Sequence, residues 1–234
     1  MDQSNPTFKF LGSNIRDTET KSLFHTVLDI DTFEIETSKG IVKIGVFGLC
    51  TEQTPQQSHP TADVMFEDVV HHARRCVDLL RSPLGPHRCD VIVCLSHVRL
   101  DVDKSIAEID HIDVIIGGHD HDPYVLHHHN TLIVKCGMNL DYLGIVDLNL
   151  ELVDVKVGGS DGDAYASTST SISQGRKVSL AHSIQLLSSH GVPTDPHIDS
   201  IIQYWTELTR VNSNKNDQSV KWCARLVMEG SSPR

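Results

Sequence analysis

Two short apolar runs, separated by a helical pattern, are the clearest periodic signal along the chain. Residues 89–95 and 112–116 are rich in Val and Ile, which predicts two buried strands. Residues 101–109 between them carry a short helical pattern. Strand, helix and strand in this order form a βαβ unit. We therefore expect the two strands to be parallel and to end at the same edge of one sheet.

The rest of the pattern predicts a mixture of helices and strands. Residues 62–81 predict the best helix, with Thr61 as N-cap. Its apolar residues lie on one face, and most of the polar residues among 71–75 lie on the opposite face, which we expect to be solvated. Residues 25–36 and 41–49 predict a hairpin. Further strands are predicted at 8–11, 124–126, 131–135 and 178–187, a long Ser/Thr/Gly-rich loop at 158–175, and a last helix at 198–211.

Histidines follow both strands of the predicted βαβ unit. Ser96-His97 follows the first strand, and Gly117-Gly118-His119-Asp120-His121 follows the second. Neutral imidazole is a common metal ligand, and we expect a Gly-Gly bend to aim the His-x-His pair at one small volume. A lone His after a strand is usually a surface residue, and most of the 15 histidines cannot be ligands. Two neighbouring strands that both end in His favour a metal site at the carboxyl edge.

A second histidine run, His127-His128-His129, follows the strand-like residues 124–126. The run is compatible with a hairpin tip and with an adventitious metal site. The hairpin tip is favoured because a strand resumes at Thr131.

The two histidine motifs resemble the second half of the calcineurin-like metallophosphoesterases, and among these the 5'-nucleotidase branch. The resemblance covers roughly residues 7–210. It implies an α/β fold (α+β in some schemes), an incomplete metallophosphoesterase β-sandwich flanked by helices. The partial phosphatase domain would span residues 1–211 and a polar tail residues 212–234. Other stretches resemble further parts of the family's domain. Residues 8–17 resemble the stretch that follows the family's Gly-Asn-His-Glu motif, 42–49 its central strand, 134–137 and 142–148 its paired strands, and 192–197 the turn into its last helix.

Three motifs of the family's first sequence half do not occur among the 234 residues. They are an Asp-x-His at a strand end, a Gly-Asp whose carboxylate bridges two metals, and the Gly-Asn-His-Glu segment that supplies an Asn ligand and the catalytic His. Asp195-Pro196-His197 has the letters of the first motif, but its proline indicates a helix start, and Gly162-Asp163 falls in the Ser/Gly-rich loop. The resemblance thus implies His97 and His119 as ligands of one metal, His121 as a ligand of the other, and no catalytic residue within this chain.

The implied activity is metal-dependent hydrolysis of a phosphate-ester small molecule such as a nucleotide, with two divalent ions (Zn, Mn or similar). Two cations about 3.5–4 Å apart need a bridging anion, and three neutral imidazoles supply no negative charge. We therefore expect little or no turnover from this chain alone. The alternative is a non-catalytic remnant of the fold that binds a metal or a protein partner. The metallo-β-lactamase motif His-x-His-x-Asp-His is not matched at Pro123 and Tyr124.

The composition argues against some classes of binding partner and of cellular location. The net charge of −11 argues against nucleic acid or an anionic membrane surface. No apolar stretch approaches the roughly 20 residues of a membrane span, and the polar residues 1–6 predict no signal peptide. Six scattered cysteines without a Cys-x-x-Cys predict reduced thiols and a cytoplasmic location. The pattern leaves the oligomeric state open.

Overall fold

The computed structural model describes residues 8–154 and 176–212. The chain divides into two compact units, residues 1–189 and 190–234. The elements of the first unit are β1 (Ile15–Asp17), β2 (Ile30–Thr37), β3 (Gly40–Cys50), α1 (Thr54–Ser58), β4 (Val64–Phe66), α2 (Val69–Arg81), β5 (Val91–His97), α3 (Leu100–Ala107), β6 (Val114–Gly117), β7 (Pro123–His128), β8 (Thr131–Cys136), β9 (Tyr142–Asp154) and β10 (Arg176–Ser188). The second unit contains α4 (Pro196–Asn212), which confirms the predicted last helix.

The main sheet of the described residues has six strands in the order β2-β3-β5-β6-β8-β7. The four central strands are parallel, and β2 and β7 are antiparallel to their neighbours at the two edges. The parallel βαβ unit predicted from the apolar runs is therefore confirmed as β5-α3-β6. The predicted hairpin is confirmed as β2-β3, with Gly40 at a φ of 137° where the chain turns.

Both faces of this sheet are covered, which explains why its central strands are almost continuously apolar. On one face α2 and α3 bury Leu80 and Ile106 against Phe47, Ile92 and Ile133 of the sheet. On the other face lies the two-stranded sheet β10-β9, whose apolar side chains pack on the strands in two patches. The patches are Leu152 and Val178 on Val42, Ile44, Val91 and Val93, and Val146, Leu148 and Ile184 on Val114, Leu132 and Val134. The fold is thus α/β, with a β-sandwich flanked by helices.

Three sequence predictions about individual elements are wrong. The helix predicted at 62–81 begins at Val69, because the Asp68 carboxylate accepts a hydrogen bond from the His71 backbone N–H at 2.6 Å and caps it there. Residues 64–66 instead form β4, which pairs with β1. The strand predicted at 8–11 contributes one isolated bridge, Leu11 to Leu28. The strands β8 and β9 do not pair with each other: β8 lies between β6 and β7, and β9 pairs with β10.

His72 does not lie on a solvated face, contrary to the helical pattern. Its Nε2 lies 2.7 Å from Glu67 Oε2, and its Nδ1 lies 3.0 Å from Arg16 Nη2. Because arginine can only donate, Nδ1 accepts and Nε2 carries the proton. Burial is the main cause that lowers the pKa of His72, so the neutral ring fits between the guanidinium and the carboxylate.

The cysteines of the described residues are free thiols, and three of them are buried: Cys76, Cys89 and Cys94. Burial raises the pKa of Cys76 and of Cys89 to about 11, and that of Cys94 well above its ordinary value. These side chains serve as small hydrophobic residues.

Across the residues that the structure describes, no helix has the length and apolarity needed to cross a membrane. The predicted loop at 158–175 lies outside the described residues, and of the predicted tail at 212–234 only Asn212, the last residue of α4, lies within them.

Candidate metal centre at the carboxyl edge of the sheet

The ends of β5 and β6 bring two of the predicted ligands together. Ser96 and Gly117 are register partners, and the Gly118 backbone N–H donates to the Ser96 carbonyl at 2.9 Å. The chain after β6 therefore lies beside His97, the last residue of β5. The rings of His97 and His119 lie 5.3 Å apart between centroids and are perpendicular at 90°. Both are at the carboxyl edge of the parallel strands, where α/β proteins place their sites.

The two glycines provide close packing, and the predicted glycine bend is not observed. Neither Gly117 nor Gly118 has a positive φ; the left-handed conformation falls on His119, at a φ of 74°. A Cβ on Gly118 would lie 3.0 Å from His97 Nδ1, and one on Gly117 would lie 2.9 Å from Lys135 Cε. Histidine adopts left-handed backbone more readily than most residues, and such backbone strain is concentrated at functional sites.

His121 lies two residues beyond His119 and is exposed. Its backbone carbonyl is next to Gly137, which turns with a φ of 77° after β8. Within the described part of the chain, the ring nitrogens of His97, His119 and His121 do not all lie within 4.8 Å of one another. The structure therefore brings the first two histidines together and does not form one compact cluster of all three.

A buried ammonium group fixes the backbone that carries these histidines. Lys135 on β8 is 0% exposed. Its Nζ donates to the backbone carbonyls of Val98 at 2.6 Å and Gly118 at 2.8 Å. It also contacts two carboxylates, Asp120 Oδ2 at 2.5 Å and Asp103 Oδ2 at 2.7 Å. One cation thus connects the end of β5, the start of α3 and the loop after β6.

Asp103 is the other fully buried member of this network. Burial is the main cause that raises the pKa of its carboxyl, and Lys135 and the Ser96 hydroxyl oppose the rise. Neither Asp103 nor Lys135 was predicted from the sequence as a site residue. A signal was present: Lys135 directly follows the buried residues 131–134, and a lysine inside an apolar run is buried only when it is paired.

Asn14 holds the neighbouring strand end in place. The side chain is fully buried, and its Nδ2 donates to the carbonyls of Cys50 at 2.8 Å and Glu67 at 2.9 Å, while its Oδ1 accepts from the Cys50 N–H at 3.0 Å. Cys50 is the register partner of His97, and the Thr51 N–H donates to the His97 carbonyl at 3.0 Å. This role of Asn14 was not predicted from the sequence either.

The electrostatics favour the metal-binding form of His97. His97 is an exposed residue, but partial desolvation of its ring, followed by the charges of His119 and Lys135, lowers the pKa of His97, while Asp120 opposes the shift. A neutral imidazole is the form that binds a metal. Imidazole donors suit Zn²⁺ and similar borderline divalent ions.

No family model matches the chain. Several curated protein sequences match parts of the chain. A 5'-nucleotidase of Diplobatis ommata is 36% identical over 78 residues, which are 33% of this chain and 13% of the relative. The trifunctional nucleotide phosphoesterase YfkN of Bacillus subtilis is 30% identical over 112 residues, 45% of this chain and 8% of the relative. The 5'-nucleotidase of Bos taurus is 26% identical over 164 residues, 69% of this chain and 27% of the relative. The chain thus spans only about a quarter or less of these relatives' lengths.

Solved structures share the fold. A 5'-nucleotidase precursor from Thermus thermophilus superposes with a TM-score of 0.57 at 18% identity, over 88% of this chain and 39% of that one. The calcineurin-like phosphoesterase YfkN of Bacillus subtilis superposes with a TM-score of 0.55 at 21% identity, over 81% of this chain and 58% of that one. Together with the sequence relatives, these similarities confirm the resemblance of the chain to the 5'-nucleotidase branch of the calcineurin-like metallophosphoesterases.

Proposed function

We propose that this chain contributes metal ligands to a metal-dependent phosphoric ester hydrolase of the 5'-nucleotidase type. His97 and His119 would be ligands of one divalent cation and His121 a ligand of a second. The observation that carries the proposal is the perpendicular contact of the His97 and His119 rings at the ends of two adjacent parallel strands.

The donor chemistry supports one cation better than two. Imidazole nitrogens fit Zn²⁺ or a similar ion, and the Asp120 carboxylate, between His119 and His121 in sequence, is already in contact with Lys135. A divalent cation held here would supply Lewis acidity toward a phosphoryl oxygen and would activate water as a nucleophile. The chain's own residues hold the geometry: Lys135 fixes the loop through Gly118 and Asp120, and Gly118 leaves room for the His97 ring.

A nucleotide is the substrate class that we propose. The support comes from the relatives, which are named as 5'-nucleotidases, an apyrase and a nucleotide phosphoesterase. We also propose a reducing, cytoplasmic setting, in keeping with the free thiols of the described residues.

The isolated 234-residue chain is expected to turn over a nucleotide slowly or not at all. The bridging carboxylate, the Asn ligand and the catalytic His that the family uses do not occur in motif form in its sequence. The same observation favours the second candidate, a derivative of the fold that binds a metal or a protein partner without hydrolysis. The two candidates share the metal ligands and differ in turnover.

The metal content of the purified chain tests the ligand assignment, and its hydrolysis of AMP distinguishes the two candidate functions. We would compare the wild type with H97A/H121A, which removes two exposed ligands and leaves the strained backbone at His119 unchanged. His87→Ala, another exposed histidine, is the matched control. The expected result is that H97A/H121A binds less Zn²⁺ or Mn²⁺ than the wild type and that H87A does not.

Equal metal binding by H97A/H121A and the wild type would refute the ligand assignment. Hydrolysis of AMP by the wild-type chain that is lost on chelation and restored by Mn²⁺ would exclude the non-catalytic candidate. It would also mean that ligands outside the recognised motifs complete the site.

A further inference from the structure

A second group of metal-binding side chains lies at the opposite edge of the main sheet. Strand β7 ends at His128, the turn continues through His129 and Asn130, and β8 begins at Thr131. Because β8 is parallel to β5 and β6, its first residue lies at the amino edge, whereas His97 and His119 lie at the carboxyl edge. Glu108 directly follows α3 and lies at the same amino edge.

The geometry of this group is that of a near-formed ligand set. One donor atom from each of Glu108, His128 and His129 lies within 4.8 Å of the other two. His128 Nε2 is 3.7 Å from Glu108 Oε1, and the rings of His128 and His129 are 4.9 Å apart between centroids. Donors around a tetrahedral Zn²⁺ are separated by about 3.4 Å, given Zn–N and Zn–O bonds of roughly 2.0–2.1 Å. Glu108 and His129 are exposed, so their side chains can rotate to close the remaining gap.

A second observation points to a ligand. His128 Nε2 is shielded from solvent and has no hydrogen-bond partner among residues 8–154 and 176–212. Its nearest carboxylate oxygen, at 3.7 Å, is beyond hydrogen-bond distance. Buried polar atoms are rarely left unsatisfied in a native protein, and an unsatisfied one needs an explanation such as a bound ion.

The backbone of His129 is left-handed, with a φ of 49°, and this conformation also supports a ligand set at the hairpin tip. The strained conformation places consecutive histidine rings of a hairpin end on the same side, next to the C-terminus of α3. By contrast, the ring of His127 lies against His182 on β10, at 4.8 Å between centroids. At the β7-β8 hairpin tip, His127 therefore packs on the second sheet, whereas His128 and His129 lie next to Glu108.

We propose that Glu108, His128 and His129 form a second metal site, for a borderline divalent transition metal of the Zn²⁺ class. Two imidazoles and one carboxylate are a donor set that Zn²⁺ takes in proteins, and the carboxylate supplies the negative charge that the carboxyl-edge histidines do not. The site would fasten the β7-β8 hairpin tip to the end of α3. It is independent of the proposed hydrolase function, since none of its ligands lies at the carboxyl edge.

Cobalt titration of the metal-free chain tests this site. Co²⁺ reports its own coordination through visible absorption, and Zn²⁺ should displace it. We would titrate H97A/H121A, carrying no polyhistidine tag, so that the carboxyl-edge ligands do not contribute. The expected result is one equivalent of bound Co²⁺. Adding Glu108→Gln or His129→Ala, both at exposed positions, should weaken binding at least about tenfold, while His127→Ala should leave it unchanged.

Absence of bound Co²⁺ in the folded H97A/H121A protein would overturn the proposal. Binding that is indifferent to E108Q and H129A would overturn it as well. If H97A/H121A does not fold, the same substitutions in the wild type should each remove one equivalent, and an unchanged stoichiometry there counts against the site. Because H97A/H121A and E108Q remove ligands from opposite edges, failure of one metal site leaves the other measurable.

Discussion

Replacing Lys135 by methionine removes the ammonium group while keeping a side chain of similar volume in the core. The substitution leaves Asp103, which is fully buried, without its cation, and frees Asp120 from its contact in the histidine-bearing loop. Removing one partner of a buried ion pair costs about 3–5 kcal/mol. That is a large fraction of the roughly 5–15 kcal/mol by which a domain is stable.

The measurement is urea unfolding followed by circular dichroism. With a slope of about 2 kcal/mol per molar urea, the loss predicts that the K135M midpoint falls by about 2 M. Lys39→Met is the matched control, because Lys39 pairs with Glu151 at 3.1 Å on the surface, where both side chains are more than half exposed. Exposed pairs of this kind contribute about 0–1 kcal/mol.

The double variant K135M/D103N separates the lost charge pair from a packing defect. Asparagine removes the unpaired buried charge, so the double variant should recover most of the lost stability. Because Asp103 already has a raised pKa, K135M should also be less destabilised at acidic pH, where that carboxyl takes up a proton. A midpoint for K135M that matches that of K39M would refute the reasoning.

Two further changes test other parts of the fold. The pKa of His72 is lowered from 6.5, so as pH falls through 6.5 and below, the unfolded chain takes up that proton before the folded chain does, and stability should fall. H72Q should show a shallower fall in the urea midpoint over the same range, and equal slopes in the two proteins would contradict this role of His72. Gly48→Ala would place a Cβ 2.5 Å from the Leu11 carbonyl oxygen, so it should lower the free energy of unfolding by about 1–3 kcal/mol, and an unchanged thermal midpoint would contradict that close contact.

The elements that sequence predicts well here are those whose burial is periodic along the chain itself. The β2-β3 hairpin, the β5-α3-β6 unit and helix α4 each repeat apolar positions with the period of their own structure. The start of α2 was missed because it depends on a cap at Asp68 and on β4 pairing with the distant β1. Neither leaves a periodic signal in the residues 62–68.

The buried polar residues, including those that hold the candidate site, were missed for a related reason. His72 is buried because Arg16, 56 residues away, and Glu67 satisfy its two ring nitrogens. Lys135 is buried because two distant carbonyls and two carboxylates meet at the end of β8. The cost of burying a polar group is decided by partners that chain folding brings together, and local pattern does not reveal them. The histidines were found because a strand end is a local feature.

The buried thiols provide an internal reporter of unfolding. Cys76, Cys89 and Cys94 are shielded, with pKa values well above neutral, so a thiol reagent should not label them while the sheet and its helices stay packed. Among the five cysteines of the described residues, Cys50 and Cys136, which are partly exposed, should react first. The two labelling phases would then read local accessibility at the strand ends and global opening of the core separately, in native buffer and without any introduced probe.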